Sequence, residues 1–426
     1  MTGTLLDFMV DADWDTPGTD PEASSGKLGV PADHARGIQY VAPWETAADG
    51  FSEHSRRSVR ALANTGAVVQ LRGLRHEPEI EDEVQARMYD LLTTSVTKCV
   101  VRVIQVVPID GQLGKWVTHP KLSAQALAGR NRATAFYTVW EREGVSPKIV
   151  KLLSRAGQVW VGCERSRKML VEAGVPERKL HRVPMPFAPD DPHLKLVGRT
   201  RQPGAPRLLH VGKWEPRKGQ QNIIGAFMLA FRPGDAELML KTSKYAPKFA
   251  GYPKGPGEAC ALWLDDERVR RNGWTAENVH PSIRMIRERL TEAQMVALHG
   301  WSDIYVTLSH GEGFDMPAFD AKLAGNRMVY TESGGPEDFA GSGDVLVPTA
   351  GSVPCHPFYQ WEGNARGTGY WLEDAAEALR EATVGLNTRE FKHDFDVDAF
   401  SEKHVGREML ANLNELAESF GEEPLG

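Results

Sequence analysis

DIYVTLSHGEGFDMPAFDAKLAG, residues 303–325, is the stretch that decides the fold. Its first apolar run, residues 304–308, has the length and the β-branched content of a buried strand. Two glycines then mark a tight turn, and a helix pattern follows from about Met316, with Pro317 in the first turn. The stretch therefore predicts a strand, a loop and a helix N-terminus, in that order.

The predicted helix N-terminus is suited to binding an anion such as a diphosphate. Its first backbone N–H groups lack partners within the helix, and the helix dipole places partial positive charge there. Glu312 lies in the turn and Asp320 in the first part of the helix. Because their carboxylates can accept hydrogen bonds from sugar hydroxyls, we interpret the stretch as a sugar-nucleotide site.

The rest of the chain alternates between strand and helix patterns. Strands are predicted at residues 38–41, 68–71, 100–108, 159–162, 208–211, 237–242, 304–308, 328–331 and 345–347. Helices are predicted between them, for example from about 52 to 66 and from 220 to 231, and a last amphipathic helix is predicted at 398–419. Such alternation is typical of an α/β fold with parallel sheets covered on both faces.

Composition limits the class of protein. The chain has 426 residues, of which 41% are hydrophobic and 25% charged, so it is long enough for two cores. A net charge of −7 argues against a general polyanion binder, such as a nucleic-acid-binding protein, but leaves local basic patches open. The four widely spaced cysteines fit a reducing compartment, and no apolar run approaches the roughly 18 residues of a membrane helix. We therefore expect a cytoplasmic protein that does not span a membrane.

A second phosphate-binding pattern is VGKWEPRKG, residues 211–219. It follows a predicted strand and precedes a helix, and ligands of open α/β sheets collect at that edge. Lys213, Arg217 and Lys218 could supply cations to a diphosphate, while Gly212 allows close approach of the backbone. The alternative is a plain turn with solvated basic residues.

These motifs together resemble the C-terminal half of retaining GT-B glycosyltransferases of family 4, also called group 1. The resemblance depends on the order and spacing of VGKWEPRKG, SHGEGFDMPAFDAKLAG and SGGPEDF, residues 333–339, and covers about residues 205–410. It is weaker over 38–190, where DGFSEHSRRSVRALANTG, residues 49–66, is similar to the family's first glycine loop and helix. YTVWE and VWVGCERS are similar to later segments of its first domain.

The resemblance implies two facing Rossmann-like domains with parallel sheets. It implies an acceptor domain at 38–195 and a nucleotide-sugar domain at 206–395. Charge and composition predict an acidic, loosely ordered N-terminal arm at 1–37, and the amphipathic pattern predicts a C-terminal helix within 396–426 that could cross back onto the first domain. The segment 245–281 is predicted as an insertion or a loop. The implied reaction is sugar transfer from a nucleotide-diphosphate donor with retention of configuration, without a metal or another cofactor.

By motif position, the resemblance also implies site residues. Glu312, Lys218 and His119 are the implied catalytic residues. The implied donor-binding residues are Gly50, Gly212, Lys213, Lys218, Glu312, Gly313, Phe314, Asp315, Met316 and Asp320. The family usually has arginine at Lys213, glycine at Asp315 and glutamate at Asp320.

Purely structural roles are the alternatives at several of these positions. Glu312 could cap the turn, and Asp320 could only complement the helix dipole. His119 could be a structural histidine, and Gly50 could serve a plain turn. Trp140 and the glutamate after it fit either the acceptor side of the cleft or core packing.

Two further stretches suggest other partners. DFDVD, residues 394–398, could chelate a divalent cation as in metal-dependent GT-A transferases, but its place before a helix favours capping. Residues 115–182 hold 14 Lys and Arg against 5 Glu, which is typical of a solvated helical surface or of one that docks on a membrane or an anionic acceptor.

The leading hypothesis is thus a nucleotide-sugar-dependent glycosyltransferase with an unidentified acceptor, which could be a glycan, a lipid, a protein or a small molecule. A sugar-nucleotide epimerase or hydrolase of the same fold is one alternative. A non-catalytic sugar-nucleotide-binding subunit is another.

Overall fold

The computed structural model describes residues 33–42, 50–72, 94–106, 133–242, 251–355, 366–388 and 390–425. Two six-stranded parallel sheets organise these residues. Every strand of the first sheet precedes every strand of the second along the chain. The predicted division between the domains at 38–195 and 206–395 falls between the two sheets.

The first sheet has the strand order β2-β1-β3-β4-β5-β6. Its strands are β1 Asp33–Val41, β2 Val69–Arg72, β3 Ser95–Val106, β4 Ala133–Thr138, β5 Gln158–Val161 and β6 Leu180–Arg182. The helices between them are α1 Gly50–Ala63, α2 Pro147–Leu153 and α3 Glu164–Glu172. Because β1 begins at Asp33, the predicted arm at 1–37 overlaps the strand, and that limit was wrong; residues 1–32 lie outside the described part.

The second sheet has the strand order β12-β11-β10-β7-β8-β9. Its strands are β7 Arg207–Val211, β8 Glu237–Lys241, β9 Ile283–Ile286, β10 Ile304–Thr307, β11 Arg327–Thr331 and β12 Val345–Val347. Its helices are α4 Gln220–Ala230, α5 Pro256–Leu264, α6 Glu267–Arg271, α7 Glu292–Trp301, α8 Met316–Leu323, α9 Gly335–Phe339 and α10 Leu372–Thr383. An antiparallel hairpin pairs β13 Ser352–Pro354 with β14 Arg366–Thr368.

The structure has two short helices within 245–281, where the sequence predicted an insertion or a loop. Helices α5 and α6 lie inside that segment, and Ala259 and Val269 are buried in the core of the second half. Gly225 of α4 lets the Trp263 ring pack closely, since a Cβ there would lie 2.4 Å from the ring. The segment is therefore part of the layer that covers the second sheet.

The last helix, α11 Glu402–Ser419, returns to the first half of the chain. Val405, Met409, Leu413 and Leu416 on one face are buried with the first sheet. Gly406 packs against α1 so closely that a Cβ would lie 2.2 Å from the Ala61 carbonyl oxygen. The predicted crossing back is confirmed.

The register of the second sheet determines where the two motifs lie. Strands β7 and β10 are parallel neighbours, with Leu208 opposite Ile304. Since parallel strands end at the same edge, the loops that follow β7 and β10 emerge side by side. Those loops contain the two sequence motifs.

Candidate functional site

The loop after β10 is held by the third motif. The Glu312 backbone N–H donates to the Ser333 carbonyl oxygen at 2.6 Å. Gly334 has φ of +139°, and a Cβ on it would lie 1.9 Å from the Glu312 carbonyl oxygen, so this contact requires glycine. The motif at 333–339 thus positions the Glu312 backbone.

The loop after β7 folds into a 3₁₀ turn, Pro216–Lys218, which packs against the loop that follows β10. Gly219 ends the turn with φ of +67°, and a Cβ there would lie 2.3 Å from the Leu308 carbonyl oxygen. The His310 backbone N–H donates to the Arg217 carbonyl oxygen at 2.8 Å. The two loops are therefore fixed to each other through their backbones.

Glu312 lies at the centre of the cluster that these loops form. Its Oε1 atom is 2.7 Å from Lys218 Nζ and accepts a hydrogen bond from Ser309 Oγ at 2.5 Å, while its Oε2 atom is 3.2 Å from Arg217. Burial by itself would raise the pKa of Glu312, but the Lys218 and Arg217 charges outweigh it and lower the pKa to about 2. Glu312 is thus a buried carboxylate that stays ionised.

Lys218 and Arg217 differ in their surroundings. Burial disfavours the charged form of Lys218, but the carboxylates of Glu312 and Asp315 outweigh burial and raise its pKa. Arg217 also lies 2.9 Å from Glu215 and 3.3 Å from Glu141, which comes from the first half of the chain. The sequence motif predicted Arg217 only as one of three cations for a diphosphate, whereas in the structure its guanidinium group pairs with Glu312.

The N-terminus of α8 follows Glu312 in the same loop. In the described ranges, the backbone N–H groups of Phe314, Asp315 and Met316 donate no hydrogen bond. The Phe314 ring packs among buried aromatic rings such as Phe319, which leaves only its backbone available to a ligand. The role of these N–H groups as donors to ligand oxygens stays a prediction.

Asp320 forms an ion pair between the two halves. Its Oδ1 atom is 3.1 Å from Arg57 on α1, and Arg57 also lies 2.7 Å from Glu53. Burial opposes ionisation of Glu53, but the charges of Arg57 and Arg56 lower its pKa to about 2. Arg57 was missed in the sequence analysis, because no local pattern links it to a residue 263 positions away.

Other contacts bring the carboxyl edges of the two sheets together. A Cβ on Gly311 would lie 2.0 Å from the Glu141 carbonyl oxygen, and one on Gly313 would lie 1.9 Å from Val139 Cγ1. A Cβ on Gly50 would lie 3.3 Å from Met316 Cε. The predicted residues Gly50, Gly313 and Met316 thus lie where the halves meet.

Lys213 and Gly212 lie at the start of the β7 loop. Lys213 is exposed, and within the described ranges its ammonium group makes no ion pair. A Cβ on Gly212 would lie 2.9 Å from His210 Nε2, so glycine is needed for packing as well as for close approach. Lys213 is thus an exposed cation in the loop that also carries Lys218.

The structure describes Trp140 and the glutamate after it, but not His119. Trp140 is buried in the core of the first half, and the core-packing alternative is the one that the structure supports. Glu141, which follows it, faces the cluster instead; burial raises its pKa, the Arg217 charge opposes this, and the Glu312 carboxylate adds to it. His119 lies outside the described residues, so its role stays a prediction.

The DFDVD stretch does not cap the last helix. The cap of α11 is Ser401, whose Oγ atom accepts from the His404 backbone N–H, so the capping interpretation was wrong in detail. Asp394 instead lies 2.6 Å from the buried ammonium group of Lys322, which also pairs with Asp344 at 2.6 Å. The stretch serves an internal ion-pair network.

One cluster in the described residues has the donor set for a metal ion, namely Asp191, His193 and Asp320, whose ligand atoms lie within 4.8 Å of one another. However, His193 Nδ1 already lies 2.8 Å from Asp191, and His193 Nε2 lies 2.9 Å from His299. Asp320 pairs with Arg57. The geometry therefore favours a network of charges and hydrogen bonds at this place.

The basic region at 115–182 is described from residue 133 onward. Several of its arginines are paired: Arg165 lies 3.2 Å from Glu143, and Arg182 lies 3.0 Å from Asp338 across the cleft. Docking on a membrane surface stays a prediction. Among the described residues, no helix has both the length and the apolarity to cross a bilayer.

No protein-family model matches the sequence, and no curated protein matches it significantly. Solved structures match it over most of its length. The α,α-trehalose 6-phosphate synthase from Burkholderia multivorans matches with a TM-score of 0.59 and 13% identity, over 91% of this chain and 98% of that one.

Two other solved structures agree with this match. The Anabaena protein HepE in complex with UDP and glucose has a TM-score of 0.56 and 13% identity, over 90% of this chain and 100% of that one. A glycosyltransferase from Rickettsia africae has a TM-score of 0.54 and 12% identity, over 90% and 98%. These likenesses and the two parallel sheets show that the chain has the GT-B fold, with two facing Rossmann-like domains.

Proposed function

We propose that this chain is a glycosyltransferase that moves a sugar from a nucleotide-diphosphate donor to an acceptor with retention of configuration. The observation that carries the proposal is the convergence of Lys218, Arg217 and Glu312 on one point at the adjacent ends of β7 and β10. The likeness in fold between this chain and HepE, which was solved with UDP and glucose, supports the proposal. Assignment to family 4 is part of the proposal and rests on the sequence motifs.

The cations of the cluster suit the leaving diphosphate. Lys218 and Arg217 are held in place before a ligand arrives, and the exposed Lys213 lies at the start of the same loop. The open N–H groups at the start of α8 add partial positive charge. Preorganised donors of this kind stabilise developing negative charge without reorganising during the reaction.

Glu312 suits the sugar. Because its pKa is about 2, it is a carboxylate at neutral pH and can accept hydrogen bonds from sugar hydroxyls. Asp320, held by Arg57, is the proposed acceptor for the ribose hydroxyls. The Arg57 contact fixes this shorter side chain from the opposite half.

The proposed step is a displacement on one face of the sugar. The bond from the anomeric carbon to the phosphate oxygen breaks, and the electron pair leaves with the diphosphate. The acceptor hydroxyl oxygen forms the new bond on the same face, and its proton passes to the departing phosphate oxygen. The protein holds the partners in this geometry, which by itself can account for much of the acceleration.

Thermal-shift measurements with UDP-, GDP-, ADP- and dTDP-glucose test the donor site, because a selective ligand raises the melting temperature. Donor turnover is then measured with and without cell-extract acceptors. Turnover that requires an acceptor supports a transferase. Turnover without one indicates the hydrolase or epimerase, and binding without turnover indicates a non-catalytic subunit.

The variant Lys218→Met tests the site itself. Loss of one cation from the leaving group should reduce turnover by roughly 10²–10³-fold. Lys151→Met on α2, an exposed position, is the matched control and should keep normal turnover. The circular dichroism spectrum and melting temperature of Lys218→Met show whether it is folded, and near-normal turnover in the folded variant would contradict the assignment.

A further inference from the structure

Asp315 occupies a backbone position that favours glycine. Its φ of 66° and ψ of 68° lie in the left-handed region, and no other non-glycine residue in the described ranges has a positive φ. Aspartate and asparagine tolerate this region better than most residues do. A carboxylate is therefore present where the backbone alone calls for no side chain.

The Asp315 side chain does not serve the helix that it precedes. It makes no hydrogen bond to the N–H groups of α8. Its Oδ2 atom instead accepts a hydrogen bond from Thr307 Oγ1 on β10 at 2.7 Å. Its Oδ1 atom has no hydrogen-bond partner in the part of the chain that the structure describes, although Asp315 is only 6% exposed. A buried oxygen without a partner costs about 1–3 kcal/mol, so a purely structural role does not explain it.

Burial and the Glu312 carboxylate disfavour the charged form of Asp315, whereas Lys218 and Arg217 favour it. Lys218 Nζ lies 4.0 Å from Oδ1, but it lies 2.7 Å from Glu312, which it neutralises first. Arg217, on the same turn as Lys218, and Tyr305 on β10 also face Asp315. A donor diphosphate would add negative charge beside two carboxylates that share one lysine.

We propose that Asp315 binds the nucleotide sugar as a neutral carboxylic acid, with its Oδ1–H group donating a hydrogen bond to a diphosphate oxygen. This inference rests on the proposed function and assigns one residue of the same site. The protonated acid relieves repulsion of the diphosphate and supplies the partner that Oδ1 lacks. The family pattern has glycine here, so the carboxyl group would be a feature of this chain.

The protonation behaviour of Asp315 agrees with this role. Burial, followed by the charge of Glu312, raises the pKa of Asp315 to about 6. At pH 7 only about a tenth of the free protein then carries the proton, so donor binding takes up nearly one proton. Because binding favours the protonated form, affinity should be constant well below pH 6 and fall about tenfold per pH unit above pH 7.

Isothermal titration calorimetry in buffers of different ionisation enthalpy measures this proton uptake directly. The probes are UDP-, GDP-, ADP- and dTDP-glucose, since the diphosphate of an intact nucleotide sugar does not titrate between pH 5 and 8. Wild-type protein should take up close to one proton at pH 7. Asp315→Asn should take up almost none and bind with little dependence on pH, because asparagine tolerates the same backbone and its amide donates a hydrogen bond.

Glu215→Gln is the matched control, since it removes a neighbouring carboxylate 2.9 Å from Arg217 and should keep the uptake. Binding without proton uptake, or equal uptake in Asp315→Asn, would overturn this inference alone. If none of the four nucleotide sugars binds to the wild-type protein, the proposed function fails and this inference fails with it.

Discussion

The substitution Glu312→Gln tests whether the Lys218 and Arg217 charges stabilise the fold through this carboxylate. Glutamine keeps the size of the side chain and can still accept the hydrogen bond from Ser309. It removes the negative charge that lies 2.7 Å from Lys218 and 3.2 Å from Arg217. The change is therefore mostly a change of charge.

The expected size follows from the pKa of Glu312, which is 4.5 in its ordinary state and about 2 in the folded protein. A lowered pKa stabilises the folded state above pH 4.5, and this contribution is lost as the pH falls towards 2. The difference corresponds to about 3 kcal/mol at pH 7 and about 1 kcal/mol at pH 3. Glu312→Gln should lower the free energy of unfolding by these amounts.

Urea unfolding followed by tryptophan fluorescence at pH 7, 4 and 3 measures the loss. Glu381→Gln, an exposed glutamate of α10, is the control, and its unfolding free energy should change by less than about 0.5 kcal/mol. An unchanged stability of Glu312→Gln at pH 7 would refute the electrostatic reasoning. A loss of equal size at pH 7 and pH 3 would also refute it, because it would indicate packing and not charge.

Two other substitutions test features outside this carboxylate. Lys322→Met leaves the buried Asp344 and the partly buried Asp394 without their cation and should lower the unfolding free energy by about 3–5 kcal/mol in urea at pH 7. Adding Asp394→Asn should recover part of the loss, and an unchanged urea midpoint for Lys322→Met would contradict the pairing. Gly311→Ala places a Cβ 2.0 Å from the Glu141 carbonyl oxygen, so the edges must separate. Its donor turnover should fall while circular dichroism keeps the wild-type spectrum, and full activity would show that the edges tolerate separation.

The central strands were predictable because each strand is buried on both faces. The segment Ile304–Thr307 reads as a continuous apolar run, and the glycines after it identify the loop. Strand β4, Ala133–Thr138, was missed because alanine and threonine dilute its apolar pattern. Helices α5 and α6 were missed because they are short and lie between glycine-rich turns.

The candidate site was predictable only in part. The approach of Lys218 to Glu312 follows from motif order, since the loops after neighbouring parallel strands meet. The contact between Arg57 and Asp320 depends on how the two halves face each other, which no short-range pattern encodes. The ion pair of Asp394 with Lys322 was likewise hidden, because 72 residues separate the partners.

The packing of α11 has a consequence for how the chain folds during synthesis. The side chains that complete the apolar layer beneath the first sheet come from Val405, Met409, Leu413 and Leu416, which follow the second sheet in the chain. The half that leaves the ribosome first therefore lacks part of its interior until the second half and α11 have been synthesised. Nascent chains would expose that layer to solvent until α11 docks, and they would depend on chaperones during that time.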